Sequence, residues 1–135
     1  MKNYLIYLNK NIKDSLLQLE KNREKCLVVI NSNNVLKGTL TDGDIRRAIL
    51  KGADVNSKIE KYIKKKPFYL KNKDFANFAH DTKKVVSEAN IKIQDEHIDI
   101  IPLIDGNHKV VEVILTKDFS KYLSSKNVLK YIPTL

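Results

Sequence analysis

One order of elements can be read twice in this chain, and that repetition limits its fold more than any other feature. Residues 4–8 read as a short strand. Asn11 then opens a helix, with a side-chain acceptor at the cap, Asp14 three residues on, and Ile12, Leu16 and Leu19 along one face. The run Cys26-Leu27-Val28-Val29-Ile30 is apolar, β-branched and short, as a buried strand is. Asn31-Ser32-Asn33-Asn34 supplies turn chemistry, because Asn tolerates the left-handed backbone of tight hairpins. Residues 35–41 form the return strand. A second helix is expected over about residues 44–51, with acid at its start, base at its end and Gly52 just past it.

The order then recurs. Phe68-Tyr69-Leu70 reads as a strand, and residues 81–90 as a helix with Val85, Val86 and Ala89 on its apolar face. Residues 98–104 read as a strand, Asp105-Gly106-Asn107 as a turn, and 110–115 as the return strand. Lys117-Asp118-Phe119 opens a last helix through Leu123. Asp44 and Asp118 hold matching places, 74 residues apart. The stretch between Leu70 and Ile98 is longer than its counterpart, and Ile91-Lys92-Ile93-Gln94-Asp95 alternates as a strand does. Each copy has an apolar sheet face that it cannot cover alone, and pairing the copies covers both. The expected fold class is therefore α/β: two βαββα repeats packed through their sheets into one compact module. Residues 1–66 and 67–126 are the repeats, and 127–135 a C-terminal tail or linker.

Charge bears on partners. The formal net charge is +9, and residues 51–73 hold eight lysines against Asp54 and Glu60. That segment is either a polyanion patch or a solvated connector. The only arginines are Arg23, Arg46 and Arg47, whereas dedicated phosphodiester readers favour Arg for bidentate contacts. We expect no specific nucleic-acid site, and any association to be lost by about 0.2 M salt. No apolar run approaches the ~20 residues of a membrane span, and the N-terminus lacks the pattern of a signal peptide. The single cysteine, Cys26, excludes an internal disulfide. These features point to a cytoplasmic setting and no membrane partner.

The chemistry concentrates at Gly38-Thr39-Leu40-Thr41-Asp42-Gly43-Asp44-Ile45-Arg46-Arg47. Gly38, without a Cβ, permits close approach of a neighbour or a ligand. Thr41 and Asp44 flank the helix entry. An ionised carboxylate accepts two hydrogen bonds from a cis-diol, with a hydroxyl beside it. A helix N-terminus offers N–H groups to a phosphate, and Arg46 and Arg47 are placed to add charge-assisted contacts. Ordinary helix capping would use Thr and Asp in the same places with no ligand. The hairpin, the glycine and the repeat favour the ligand.

Residues 9–62 resemble a first CBS repeat, and the run from Gly38 to Arg47 resembles its most specific motif. Residues 67–123 resemble a degenerate second repeat, anchored by Ile101-Pro102-Leu103-Ile104-Asp105. The resemblance implies a tandem CBS pair, or Bateman module: a regulatory unit, not an enzyme. It would take AMP, ADP, ATP or a related adenosyl ligand between its repeats and require no cofactor. Carried over by position, Thr41 and Asp44 contact the ribose, Gly38 and Leu40 line the site, and Asp118 is the counterpart of Asp44. Glu112 stands at the Gly38 position and Leu115 at the Thr41 position, so one nucleotide per chain is expected.

The wording Thr-Asp-Gly-Asp-Ile-Arg-Arg is also similar to CBS pairs attached to sugar-phosphate nucleotidyltransferases or arabinose-5-phosphate isomerases. It implies control of an attached or partner enzyme, and residues 130–135 read as the start of a linker. The resemblance further implies a homodimer through the helices opening at Asp44 and Asp118, with Ile49, Leu50, Tyr122 and Leu123 as apolar contacts. A ligand-free dimerisation module is the first alternative and a basic nucleic-acid-binding domain the second. His80, His97 and His108 lack metal-ligand spacing. His80-Asp81 and Asp95-Glu96-His97 read as surface polar groups. Tyr4, Tyr7, Tyr62, Phe68, Tyr69, Phe75 and Phe78 read as core or interface.

Overall fold

A computed structural model describes residues 2–75 and 82–125. In the first repeat, strand β1 (Leu5–Tyr7) leads to helix α1 (Ile12–Lys21), strands β2 (Cys26–Ile30) and β3 (Leu36–Thr41), and helix α2 (Asp42–Leu50). The second repeat comprises β4 (Leu70–Lys71), α3 (Thr82–Glu96), β5 (Ile100–Ile104), β6 (Val110–Leu115) and α4 (Phe119–Ser125). Each repeat makes a three-stranded sheet with the middle strand parallel to the first and antiparallel to the third. The two βαββα units pack together into one module, as the repetition requires.

Register shows how closely the copies match. Cys26 pairs with Thr41 and Ile100 with Leu115, while Val29 pairs with Gly38 and Leu103 with Glu112. Every member of the second set lies 74 residues after the first, and both ladders break at the same place, Val29/Ile30 and Leu103/Ile104. The earlier strands keep a different spacing. Ile6 pairs with Val29, 23 residues on, and Leu70 with Leu103, 33 on, so the second copy holds ten more residues there.

Part of that surplus is helix. Ile91-Lys92-Ile93-Gln94-Asp95, whose alternation reads as strand, continues α3. Lys92 and Glu96 form an i,i+4 ion pair at 3.0 Å on the exposed side, and Ile93 packs against the second-repeat core. Both are helical spacings. Other differences are local. α2 begins at Asp42 because Thr41 is its cap. The strand expected at 68–70 is Leu70–Lys71, and the one expected at 98–104 begins at Ile100. Leu16, expected on the buried face of α1, is 39% exposed, and Ser15 takes the buried position by donating its hydroxyl to the Ile12 carbonyl. Asp81, His80, Phe78 and residues 127–135 lie outside the described residues.

β2 and β5 are buried on both faces, which explains their unbroken apolar sequence. Leu27, Val29 and Leu40 face Ile12, Leu19, Ile45, Ala48 and Ile59 in the first repeat's own core. Ile101, Leu103 and Ile114 face Val86, Ala89, Phe119 and Leu123 in the second. The opposite faces meet between the sheets, where Cys26, Val28, Ile30 and Leu36 pack with Ile100, Ile104 and Val110.

The hairpin tips are joined reciprocally. Leu36 N donates to the His108 carbonyl at 3.0 Å, and Val110 N donates to the Asn34 carbonyl at 2.9 Å. Asn34 and His108 both take left-handed φ, 64° and 63°. The turns beside them are matched as well. Asn31 Oδ1 accepts from the Asn33 and Val35 amides, and Asp105 Oδ1 from the Asn107 and Lys109 amides. Asn and Asp are used here because their short side chains satisfy turn amides locally.

Candidate inter-repeat cleft

At the other end of the sheets lies a cleft of about 260 Å³ between the repeats. The first repeat contributes Cys26, Thr39, Thr41, Asp44 and Arg47. The connector adds Lys64, Pro67 and Phe68, and the second repeat residues 96–100. Three of the motif's expected site groups, Thr41, Asp44 and Arg47, therefore line the cleft together.

Their local geometry is a complete capping box. Asp44 N donates to Thr41 Oγ1 at 3.1 Å, and Thr41 N donates to Asp44 Oδ2 at 3.0 Å. Arg47 Nη2 donates to Asp44 Oδ1 at 2.7 Å. The Arg47 guanidinium folds back over Gly43, where an added Cβ would meet it at 3.3 Å. Each carboxylate oxygen keeps a lone pair beyond these bonds, and the Thr41 hydroxyl keeps its proton to donate. The wall can still present two acceptors and a donor to a diol.

The amides are another matter. Asp42 N donates to the Lys25 carbonyl at 3.3 Å, and Gly43 N to Asp42 Oδ1 at 2.9 Å. With Thr41 N and Asp44 N in the box, four successive amides at the start of α2 are already bonded. The open helix N-terminus expected to meet a phosphate is closed.

Three other expected site residues lie elsewhere. Leu40 is fully buried in the first repeat's core, because alternation along β3 turns it away from the cleft. Arg46 is exposed and faces Asp42 at 3.7 Å. Gly38 serves the connector rather than the cleft. Lys64 pairs across Thr39, with Thr39 N to Lys64 O at 3.0 Å and Lys64 N to Thr39 O at 2.9 Å. A Cβ on Gly38 would collide with that Lys64 carbonyl oxygen. Gly38→Ala is expected to destabilise the protein by about 1–3 kcal/mol, because backbone rather than a side chain must move. Urea unfolding measures it, and an unchanged midpoint would show that the connector yields freely.

The sequence does not single out Asp99, it counts Lys64 only within the basic segment, and it reads both Glu96 and His97 as surface groups. Glu96 and His97 nevertheless close α3 on the cleft wall. His97 turns the chain with φ of 52°. Glu96 accepts from Lys92 at 3.0 Å and faces Lys64 at 3.9 Å. The Lys92 hydrogen bond, with the charges of Lys92 and Lys64, holds its carboxyl below the usual range, so it is ionised at neutral pH. The 74-residue offset is the signal that would have found Asp99, since it places Asp99 opposite Lys25, just before the middle strand. Burial, reinforced by Asp99, Glu24 and Asp42, pushes the Cys26 thiol up to about 12. At neutral pH it is a protonated, unreactive side chain on the cleft floor.

The matching place in the second repeat differs. Leu115 replaces Thr41 and packs with the inter-sheet cluster, Glu112 replaces Gly38, and Asp118 is exposed at the start of the last helix. Lys117 pairs with Glu24 of the first repeat at 3.2 Å. Of the aromatics read as core or interface, Phe75 is buried, Phe68 lines the cleft and Tyr7 is 47% exposed. In the lysine-rich connector Ile59 and Ile63 are buried while Lys58, Lys61, Lys64, Lys65 and Lys66 are exposed. Among the described residues no group of three or more His, Cys, Asp or Glu side chains is placed to hold a metal ion. No helix among them is long and apolar enough to cross a membrane.

Two matching apolar-cored repeats, packed sheet to sheet with a polar cleft between them, define a class of paired-repeat modules. The fold is that of a CBS-domain pair, and residues 1–51 match the family model described as CBS domain. CBS-domain pairs are a non-catalytic regulatory module. A CBS domain protein from Pyrobaculum aerophilum, solved complexed with AMP, superposes with a TM-score of 0.66 at 16% identity. The match covers 93% of this chain and 89% of that one. A CBS domain pair solved in complex with 5'-methylthioadenosine and S-adenosyl-L-methionine gives 0.66 at 19% identity, over 88% and 89%. Among curated sequences, an uncharacterized Helicobacter pylori protein is 31% identical over 110 residues. That match covers 82% of this chain and 31% of the relative, so the chain spans about a third of that protein's length.

Proposed function

We propose that this chain is a regulatory CBS pair that takes one adenine nucleotide or related adenosyl compound in the cleft beside Thr41 and Asp44. One observation carries the reading: the hydroxyl and carboxylate of the motif share a cleft with residues 96–100 of the other repeat. A ligand bridging them stabilises one relative setting of the repeats by its differential affinity. The similar structures solved with AMP, or with 5'-methylthioadenosine and S-adenosyl-L-methionine, support the ligand class. The recipient of the signal is an attached or partner enzyme, and the motif's wording favours one acting on sugar phosphates.

Calorimetry with adenosine, 5'-methylthioadenosine, AMP and ATP tests the reading. Binding is expected at one ligand per chain, with Asp118→Ala leaving affinity within about three-fold, since an exposed carboxylate in the altered copy contributes little. Two equal sites, or a large loss in Asp118→Ala, would move the site to the second repeat.

The module is also proposed to pair as a two-fold homodimer. Ile49 and Leu50 of α2 are 46% and 86% exposed. Tyr122 and Leu123, the other contacts expected from sequence, are 9% and 1% exposed and pack on their own sheet. The contact is therefore assigned to α2 alone. Light scattering at micromolar protein should give twice the chain mass, and Leu50→Glu should return it to the monomer mass.

A further inference from the structure

The charge arrangement of the inter-repeat cleft points to a ligand narrower in kind than an adenine nucleotide. Resting on the reading above, we infer that the cleft selects adenosyl compounds whose 5' substituent carries no net negative charge, a nucleoside, thioether or sulfonium, over nucleotides with phosphate chains.

Three observations converge on this. First, the amides of residues 41–44 are all bonded within the protein, so the helix start offers a phosphate no free donor among them. Second, each cation on the wall already faces a carboxylate. Arg47 holds Asp44 at 2.7 Å, and Lys64 faces Glu96 at 3.9 Å. Glu96 also binds Lys92 at 3.0 Å, and Asp99 adds a third carboxylate to the lining. Even with Lys92 counted, cations do not outnumber carboxylates there, in a chain of net charge +9. Third, the cleft measures about 260 Å³, below the roughly 300–1,000 Å³ usual for drug-sized ligands. It suits a nucleoside better than a nucleoside with a triphosphate tail.

The same carboxylates explain the selection. A phosphate at this wall meets cations whose charge is already offset, Arg47 by Asp44 and Lys64 by Glu96, and it faces those ionised carboxylates together with Asp99. A neutral substituent disturbs neither pair. A sulfonium gains from Glu96 and Asp99.

The test is calorimetry on this 135-residue chain with adenosine, 5'-methylthioadenosine, AMP and ATP, at fixed ionic strength. The neutral ligands are expected to bind at least about ten-fold more tightly than ATP. The double variant Glu96→Gln, Asp99→Asn should narrow that gap by about three-fold or more through lost repulsion. Both substitutions are near-isosteric at exposed side chains, and the Asp99 carbonyl still accepts from Thr116 N. Circular dichroism confirms that the variant is folded. ATP binding as tightly as 5'-methylthioadenosine would overturn the selectivity and leave the adenosyl site standing. A gap that persists unchanged in the double variant would overturn the assigned cause. No binding by any of the four would overturn the underlying reading itself.

Discussion

Leu40→Ala is expected to cost about 2–5 kcal/mol of stability, the range for emptying a large aliphatic side chain from a packed core. Leu40 is fully buried against the helices of its own repeat, among Leu27, Ile45 and Ile59. It sits inside the motif that builds the cleft, yet its side chain points away from it. Affinity for 5'-methylthioadenosine, measured under conditions where the variant remains folded, should therefore stay close to that of the unaltered protein. Urea unfolding and calorimetry on the same sample separate the two effects. A variant of nearly normal stability but impaired binding would return Leu40 to the cleft wall.

Asp44→Ala carries the larger effect on binding. It removes a charge-assisted acceptor, worth roughly 1.5–3 kcal/mol, or on the order of ten- to hundred-fold in affinity. It also breaks half of the capping box and frees Arg47 from its 2.7 Å partner. A stability loss of about 0.5–2 kcal/mol from the cap should accompany the loss of binding. Asp44→Asn divides these effects. Its amide oxygen can still accept from Thr41 N, so the cap is largely kept while the charge is lost. Stability should recover in Asp44→Asn and affinity should not. Equal affinity in all three proteins would remove Asp44 from the ligand site and leave it a capping residue.

The architecture was legible because the hydrophobic pattern and the turn residues agree in both copies. Cys26–Ile30 and Ile100–Ile104 are apolar at every position because both faces of those strands are covered. The turn residues Asn31 and Asp105 mark the two hairpins at matching places. The alternation at residues 91–95 misleads because a helix with one half-buried side can alternate by chance over five residues. Its Lys92–Glu96 spacing is the better guide.

The site was legible only on one wall. Thr41 and Asp44 stand in a motif, with the chemistry and the position both local. The facing wall is set by where α3 ends, and that depends on ten residues with no counterpart in the first repeat. Gly38 and Leu40 show the reverse limit. A motif records every residue that its structure needs, including a glycine kept clear for a connector and a leucine kept for the core, and does not say which of them meet a ligand.

Under the proposed reading, the reciprocal bonds between the hairpin tips would serve as the fulcrum of a lever. Leu36, Asn34, His108 and Val110 fasten the repeats at one end of β2 and β5, and the cleft opens at the other. Five-residue strands set those ends about 15 Å apart at ~3.3 Å per residue. Under that reading, a ligand wedged into the cleft would rock one repeat about the fastened tips, against the Lys117–Glu24 and Lys64–Glu96 pairs that also bridge the repeats at that end. Displacement would grow with distance from that fulcrum, and the outer helices would travel farther than the cleft walls. The long arm of the lever is where an attached partner would feel the smallest molecule arrive.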